Sequence, residues 1–306
     1  MFKLKLALIF NYAIIALCYT GKTQETIPLY DGNKVPGSLS CPDREKGGGP
    51  DTPITDVTIP TLTVYEPDNN TGNRTAIIIC PGGGYYGLSM ESEGAPSAKI
   101  LSKENIVAFT LKYRTTNFVC NSQYSLAPLQ DLQQAIYKIR TEAARWKINP
   151  DKVGVLGFSA GGHLATLASI RYDHPQIQAG QLSLRPDFIG LVYPVVSFLD
   201  SLTSKVSNTR VGLLGPKFTA EQAEWFSSEL HVTPNTPPTF IVHAADDRVV
   251  LVEQSLVYYW NLIKNKVPSQ MIVYQSGGHG FRTYNKALNG DWIKDMLEWM
   301  KFNKAL

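Results

Sequence analysis

The chain has 306 residues, 43% of them hydrophobic and 18% charged, and a formal net charge of +3. That length can bury a full core in one large domain or two small ones, and that composition is globular rather than disordered. Lys and Arg are scattered without a basic block, and no helicase, zinc-ribbon or RNA-binding pattern occurs, so nucleic acid is excluded as an expected partner.

In chain order, two lysines in MFKLK precede the apolar run 6–17, LALIFNYAIIAL. The run has the length of a signal-peptide core, is too short to span a bilayer and is interrupted by Asn11. Residues 1–22 are therefore expected to be a signal peptide. Its cleavage site stays open between Ala16-Leu17-Cys18 and Cys18-Tyr19-Thr20, and a large Leu17 before Cys18 argues against lipoprotein anchoring. Export to a periplasm or the medium is expected, without stable membrane insertion afterwards. Removal of the signal leaves Cys41, Cys80 and Cys120, an odd trio with no C-x-x-C and no zinc-ligand spacing. At most one disulfide is expected, no structural metal, and Cys80 as a small core residue.

Residues 23–55 are rich in Gly, Pro and Asp and read as an irregular lead-in; 56–306 read as one domain. Strands are expected at 61–67, 76–80, 105–113, 153–158, 188–196, 239–244 and 271–275, several as continuous apolar runs. The polar stretch 68–74 between the first two reads as a turn, with sequons at Asn69 and Asn73. Helices are expected at 127–146, 160–172, 219–230, 251–265 and 292–302, the first from apolar residues at three-to-four spacing. This alternation implies an α/β fold with a mostly parallel central sheet flanked by helices.

Sites in such sheets lie in the loops after the carboxyl ends of the strands. There the sequence delivers Gly82-Gly83-Gly84-Tyr85-Tyr86, then Ser159, then Asp246-Asp247-Arg248, then Gly277-Gly278-His279-Gly280-Phe281. The segment Gly157-Phe158-Ser159-Ala160-Gly161 fits G-x-S-x-G, weak as a pattern but placed between an apolar strand and a small-residue helix start, the setting of a nucleophile elbow. A serine needs a base to take its proton. Of five histidines, His163 lies in the elbow helix and reads as structural, His174 and His231 lie in polar connections, and His243 sits inside a strand. His279, among glycines, is the expected general base. Asp246 and Asp247 both suit the acid that orients it, and local physics does not separate them. The three glycines suit close approach of backbone to a developing oxyanion, with the amides of Gly83, Gly84 and Ala160 as expected donors. No Lys-Ser/Thr follows them, so they are not a P-loop.

Taken together, Ile78-Ile79-Cys80-Pro81-Gly82-Gly83-Gly84-Tyr85, Leu111-Lys112-Tyr113-Arg114, the stretch 157–165, the stretch 237–247 and Gly277-Gly278-His279-Gly280-Phe281 resemble an α/β-hydrolase. The similarity is to the bacterial acetylxylan esterase and feruloyl-esterase-like group, over roughly residues 60–302. The order Ser, Asp, His along the chain is the α/β-hydrolase order. In that family the acid commonly stands four residues after a strand-end His and eight before a helix Ser, which selects Asp247 through His243 and Ser255. Pro81 replaces the His that often precedes the three glycines in lipase-like relatives, and Leu251 replaces a frequent proline.

The resemblance implies a serine carboxylic-ester hydrolase that works through an acyl-enzyme without a cofactor. The implied substrates are small or oligosaccharide esters, with acetyl groups on plant polysaccharide side chains foremost. A feruloyl esterase, a dipeptidyl-peptidase-like enzyme and a non-catalytic binding protein on a hydrolase scaffold are the competing readings. Tyr85, Tyr86, Phe281 and the loop 115–125 are candidate substrate contacts, and Trp225 and Phe226 candidate lid residues.

Overall fold

The computed structural model describes residues 24–306 apart from 34, 40, 42, 43, 69–71, 117–119 and 205. The expected signal segment, Cys18 and the Asn69 sequon lie outside the described residues. The strands are β1 (Glu25–Pro28), β2 (Ile54–Thr55), β3 (Thr61–Tyr65), β4 (Arg74–Cys80), β5 (Gly87–Leu88), β6 (Val107–Lys112), β7 (Ile148–Phe158), β8 (Ile189–Val192), β9 (Thr239–Ala244) and β10 (Ser269–Tyr274). The helices are α1 (Ala95–Lys103), α2 (Ala127–Thr141), α3 (Ala160–Ile170), α4 (Thr209–Leu214), α5 (Ala220–Trp225), α6 (Val252–Lys264) and α7 (Trp292–Phe302).

Among the described residues, eight strands form one sheet in the order β1-β3-β6-β4-β7-β8-β9-β10. β1 and β3 run antiparallel to their neighbours, and the pairs from β6 to β10 are parallel. Alternation along the central strands divides the core. Ala76, Ile78 and Cys80 of β4 face a cluster with α2, α3 and α6, whereas Ile77 and Ile79 face one with α1 and α7. Helices on both faces explain why β4 reads as an unbroken apolar run.

Three expectations change. The irregular lead-in supplies the edge strand β1, which extends the sheet. The helix expected over 219–230 stops at Trp225 and resumes as a 3-10 turn at Ser228–His231. Ser227 ends it: its hydroxyl donates to the Ala223 carbonyl at 2.7 Å and accepts the Phe198 amide at 2.9 Å. Strand β8 stops at Val192 because Tyr193 has φ 38° and Pro194 has no amide to continue the ladder. Cys41 and Cys120 form a disulfide, and Cys80 is a buried free thiol.

Register lines up the carboxyl ends that matter. Cys80 pairs with Gly157, Phe158 with Val192, Val192 with Val242, and Ala244 with Tyr274. The loops carrying the three glycines, Ser159, Asp246-Asp247 and His279 therefore leave the sheet at one level.

Candidate active site

Ser159 stands between β7 and α3 with φ 51° and ψ −115°, a conformation costly for a residue with a side chain. The surroundings impose it. Its amide donates to Val192 O at 3.1 Å, and its carbonyl accepts the amides of His163 and Val195, both at 3.1 Å. Helix and strand meet so closely that a Cβ on Gly157 would lie 2.3 Å from Gly161 O. The sharp turn lifts the Ser159 hydroxyl out of the sheet toward the loop after β10.

There His279 Nε2 lies 3.0 Å from Ser159 Oγ, and His279 Nδ1 lies 2.7 Å from Asp247 Oδ2. A carboxylate only accepts, so Nδ1 carries the proton and Nε2 is left to accept the serine hydroxyl. The arrangement can move the serine proton onto imidazole while the carboxylate holds the ring. Asp247 also receives His243 Nε2 on Oδ2 at 3.2 Å and the Val249 and Val250 amides on Oδ1, both at 2.9 Å. Burial would raise its pKa; the bonds from His243, His279 and Val250, with the charge of His279, outweigh burial and hold the carboxyl far below the usual range. Asp246 is outside this series. It is exposed and accepts Ser276 Oγ at 2.9 Å and the Gly278 amide at 2.7 Å, anchoring the loop that carries His279.

Gly83 and Gly84 wall a cleft of about 430 Å³ together with Ser159 and His279. Both have positive φ, 133° and 63°, and a Cβ on Gly83 would lie 2.1 Å from Gly87 O. Carbonyl groups of the loop are tied inward: Gly82 O accepts the Ser89 amide and Gly83 O accepts the amides of Tyr86 and Gly87. Ala160 opens α3 directly after Ser159, at the helix end where amides point outward.

The other candidates divide. Tyr86 is 48% exposed and lines the cleft. Tyr85 does not: it is fully buried, and its hydroxyl donates to His163 Nδ1 at 2.7 Å. Phe281 is buried edge-on to Tyr193 with ring centroids 4.8 Å apart, so it packs beneath the site rather than in it. Phe226 is buried beside His163, Trp225 lies under Arg171, and neither lines the cleft. In the loop 115–125, of which 117–119 lie outside the described residues, Thr115 is buried and receives the Val57 amide, and Cys120 is disulfide-bonded, so these two residues are framework. His163 is framework too: Nε2 donates to Phe226 O at 2.7 Å.

Residue-level reading missed part of the site. His243, inside β9, is buried, and it also braces Asp247 and takes the Ser255 hydroxyl on Nδ1 at 2.7 Å. The four-residue spacing of His243 and Asp247 was the available signal. Val206, Ser207 and Asn208 before α4, Thr209 at its first position, and Arg282 line the cleft without any periodic signature. Among the described residues no cluster of His, Cys, Asp and Glu suits a metal ion, and no helix is long and apolar enough to cross a membrane.

The chain is 31% identical over 252 residues to an acetylxylan esterase of Xylanibacter ruminicola, covering 78% of this chain and 48% of that protein. It is 32% identical over 237 residues to endo-1,4-beta-xylanase B of Butyrivibrio fibrisolvens, covering 76% of this chain and 36% of that protein. The chain thus spans about half or less of the curated relatives it matches. Among solved structures, the acetyl ester-xyloside bifunctional hydrolase of Caldicellulosiruptor lactoaceticus superposes with a TM-score of 0.77 at 31% identity, covering 92% of this chain and 97% of that one. The fold is that of the α/β-hydrolases. The BD-FAE family matches residues 62–262, from β3 through most of α6, and the chain belongs to that family.

Proposed function

We propose that the protein is a serine carboxylic-ester hydrolase that removes acetyl groups from plant polysaccharide or oligosaccharide side chains. The observation that carries the reading is the unbroken hydrogen-bond series from Ser159 through His279 to Asp247, opening on the glycine-walled cleft. Ser159 Oγ attacks the ester carbonyl carbon while His279 Nε2 takes its proton. The amides of Gly83, Gly84 and Ala160 receive the oxyanion. Collapse of the tetrahedral intermediate breaks the ester C–O bond, and the leaving alkoxide takes the proton from His279. Water, deprotonated by the same imidazole, then attacks the acyl-serine and releases acetate and free Ser159. Every proton is returned, so the cycle needs neither metal nor organic cofactor.

The acetyl-xylan substrate class is supported by the names of the relatives and by the cleft wall, where Ser89, Ser92, Ser207, Asn208 and Thr209 can meet a hydroxyl-rich alcohol. We also propose export: the signal-like run 6–17 agrees with the Cys41–Cys120 disulfide, since disulfides persist in oxidising compartments. The test is fluorophosphonate labelling with turnover of acetylated xylan, feruloylated sugars and p-nitrophenyl esters of rising chain length. The expected result is labelling at Ser159, fastest turnover of acetyl esters, and a fall in kcat of roughly 10⁴-fold or more in Ser159→Ala. Absence of labelling in folded protein would favour a binding protein, and fast turnover of long acyl chains alone would refute the deacetylase.

A further inference from the structure

Glu93 is a buried carboxyl group on the wall of the cleft, and acyl transfer as written above gives it no role. It sits in a single π-helical turn, Met90–Gly94, in which the Gly94 amide reaches back five residues to Ser89 O. Single π turns are rare and frequently found at functional sites. Its Oε2 accepts the Gly82 amide at 2.6 Å, and its Oε1 accepts the Tyr193 hydroxyl at 2.9 Å. The Tyr193 oxygen in turn accepts the Arg282 amide at 3.2 Å, and the Tyr193 ring lies against the His279 ring with centroids 4.7 Å apart.

One carboxyl therefore joins three strand-end loops: the glycine loop after β4, Tyr193 after β8, and the histidine loop after β10. Tyr193 adopts its φ of 38° to reach that point, and a bulky residue holds such a conformation only where its contacts over-determine it. Gly82 itself lies against the serine, since a Cβ there would come within 2.9 Å of Ser159 Cβ. A buried carboxyl is costly to keep for packing alone, and this one bonds the glycine loop with one oxygen and Tyr193 with the other. Burial raises its pKa, opposed by the Gly82 and Tyr193 bonds and by the charges of His279 and Arg282.

We propose that Glu93, acting through Gly82 and Tyr193, is a positioning residue that holds the Gly83–Gly84 amides and the His279 imidazole in one register around Ser159. The inference rests on the acyl-transfer reading of the same site. It follows that loss of the tie misplaces the oxyanion donors against the base and slows the chemical step without loosening ground-state binding.

The experiment compares the full chain with Glu93→Ala, Glu93→Gln and Tyr193→Phe, using p-nitrophenyl acetate as substrate and an aryl trifluoromethyl ketone as inhibitor. The ketone adds Ser159 Oγ to its carbonyl carbon, so its affinity reports the oxyanion donors directly. Glu93→Ala is expected to lower kcat and ketone affinity together by about 100-fold, with KM changed less than about threefold. Tyr193→Phe, which keeps the ring and loses one hydrogen bond, is expected to lower both by about tenfold. Should Glu93→Ala not fold, Glu93→Gln and Tyr193→Phe carry the test. Folded variants that keep kcat and ketone affinity while losing only melting temperature overturn the inference and leave the esterase reading intact. A parent chain that neither turns over esters nor labels at Ser159 overturns both.

Discussion

Asp246 and Asp247 are chain neighbours in opposite surroundings, and the contrast sets a prediction. Asp247 is fully buried with both oxygens occupied, whereas Asp246 is exposed and bonds only the loop that carries His279. Asp247→Asn places an amide N–H or a weaker acceptor against the imidazole and is expected to lower kcat by roughly 10⁴-fold. Asp246→Asn keeps a neutral acceptor for Gly278 and is expected to cost about tenfold at most. Steady-state kinetics on one acetyl ester ranks them, and the reverse ranking moves the acid to Asp246. Residue type alone does not separate the two; the spacing to His243 and Ser255 does so only through the family resemblance, and the bonds from His243, Val249 and Val250 give its physical reason. His163, in the first turn of α3, is fully buried. Its Nε2–H is fixed by the Phe226 carbonyl and its Nδ1 by the Tyr85 hydroxyl, and burial pushes its pKa down to about 4, against the Phe226 bond. The unfolded chain therefore binds a proton between about pH 6.5 and 4 that the folded chain refuses, so stability is lost as pH falls through that window. The loss from this group is about 3 kcal/mol at pH 4. His163→Gln, which can keep both partners without titrating, is expected to flatten the difference in urea midpoints between pH 7 and 4. Parallel profiles for parent and variant would rule His163 out as the source.

At the scale of elements, the elbow depends on contact between backbones more than on any side chain. All residues of α3 are buried, and a Cβ on Gly161 would stand 2.0 Å from Cys80 O and 2.5 Å from Pro81 O. Those carbonyls, of the last residue of β4 and the one after it, stand immediately before the glycine loop, so the helix cannot back away without moving the loop from Ser159. Gly161→Ala is expected to cost about 3 kcal/mol or more and to remove most activity from whatever folds. Gly180→Ala is the control: Gly180 has φ 58° with open space around it, so the change costs only roughly 1–2 kcal/mol of backbone strain. Equal shifts in melting temperature would show that close approach is not what Gly161 provides. The same distinction explains which elements could be read in advance. The strand now β4 and the helices α3, α6 and α7 announce themselves through apolar content or period, because they are buried by the sheet they make. By contrast β1 has four residues and α1 opens with Ala95 and Pro96 out of the π-helical turn Met90–Gly94 without a side-chain cap, so their existence rests on neighbours distant in sequence. The site followed the same rule: residues at the ends of strong strands were legible, and those on irregular connections such as Asn208 and Arg282 were not.

At the scale of the molecule, the lead-in that read as irregular is fastened at three levels. β1 pairs with β3 at the sheet edge, and Tyr30 OH donates to Asp131 Oδ1 at 2.9 Å. Asp131 is itself paired with the buried Arg114 at 2.7 Å, and Arg114 Nη1 reaches Pro36 O at 2.6 Å. Around the disulfide, the Leu39 amide donates to Cys120 O and the Ser122 amide to Gly37 O, both at 2.9 Å. Composition could not disclose this clamp, since cysteine positions along a chain do not say which sulfurs meet. The disulfide joins residues 79 apart in sequence, a long loop whose closure restricts the unfolded chain strongly. For a loop of that length the constraint is worth about 4–5 kcal/mol. Removing it in the double variant Cys41→Ala/Cys120→Ala is therefore expected to lower the melting temperature by roughly 5–10 °C. Neither cysteine lines the cleft, and the Arg114–Asp131 pair and the β1 pairing remain to hold the segment in place. Turnover of an acetyl ester well below the transition should accordingly stay within about twofold of the parent, since the reacting groups are untouched. Calorimetry and kinetics on one preparation separate these outcomes. A large loss of kcat with little change in melting temperature would show that the clamp reaches the cleft, and the lead-in would then belong to the active site rather than to the scaffold.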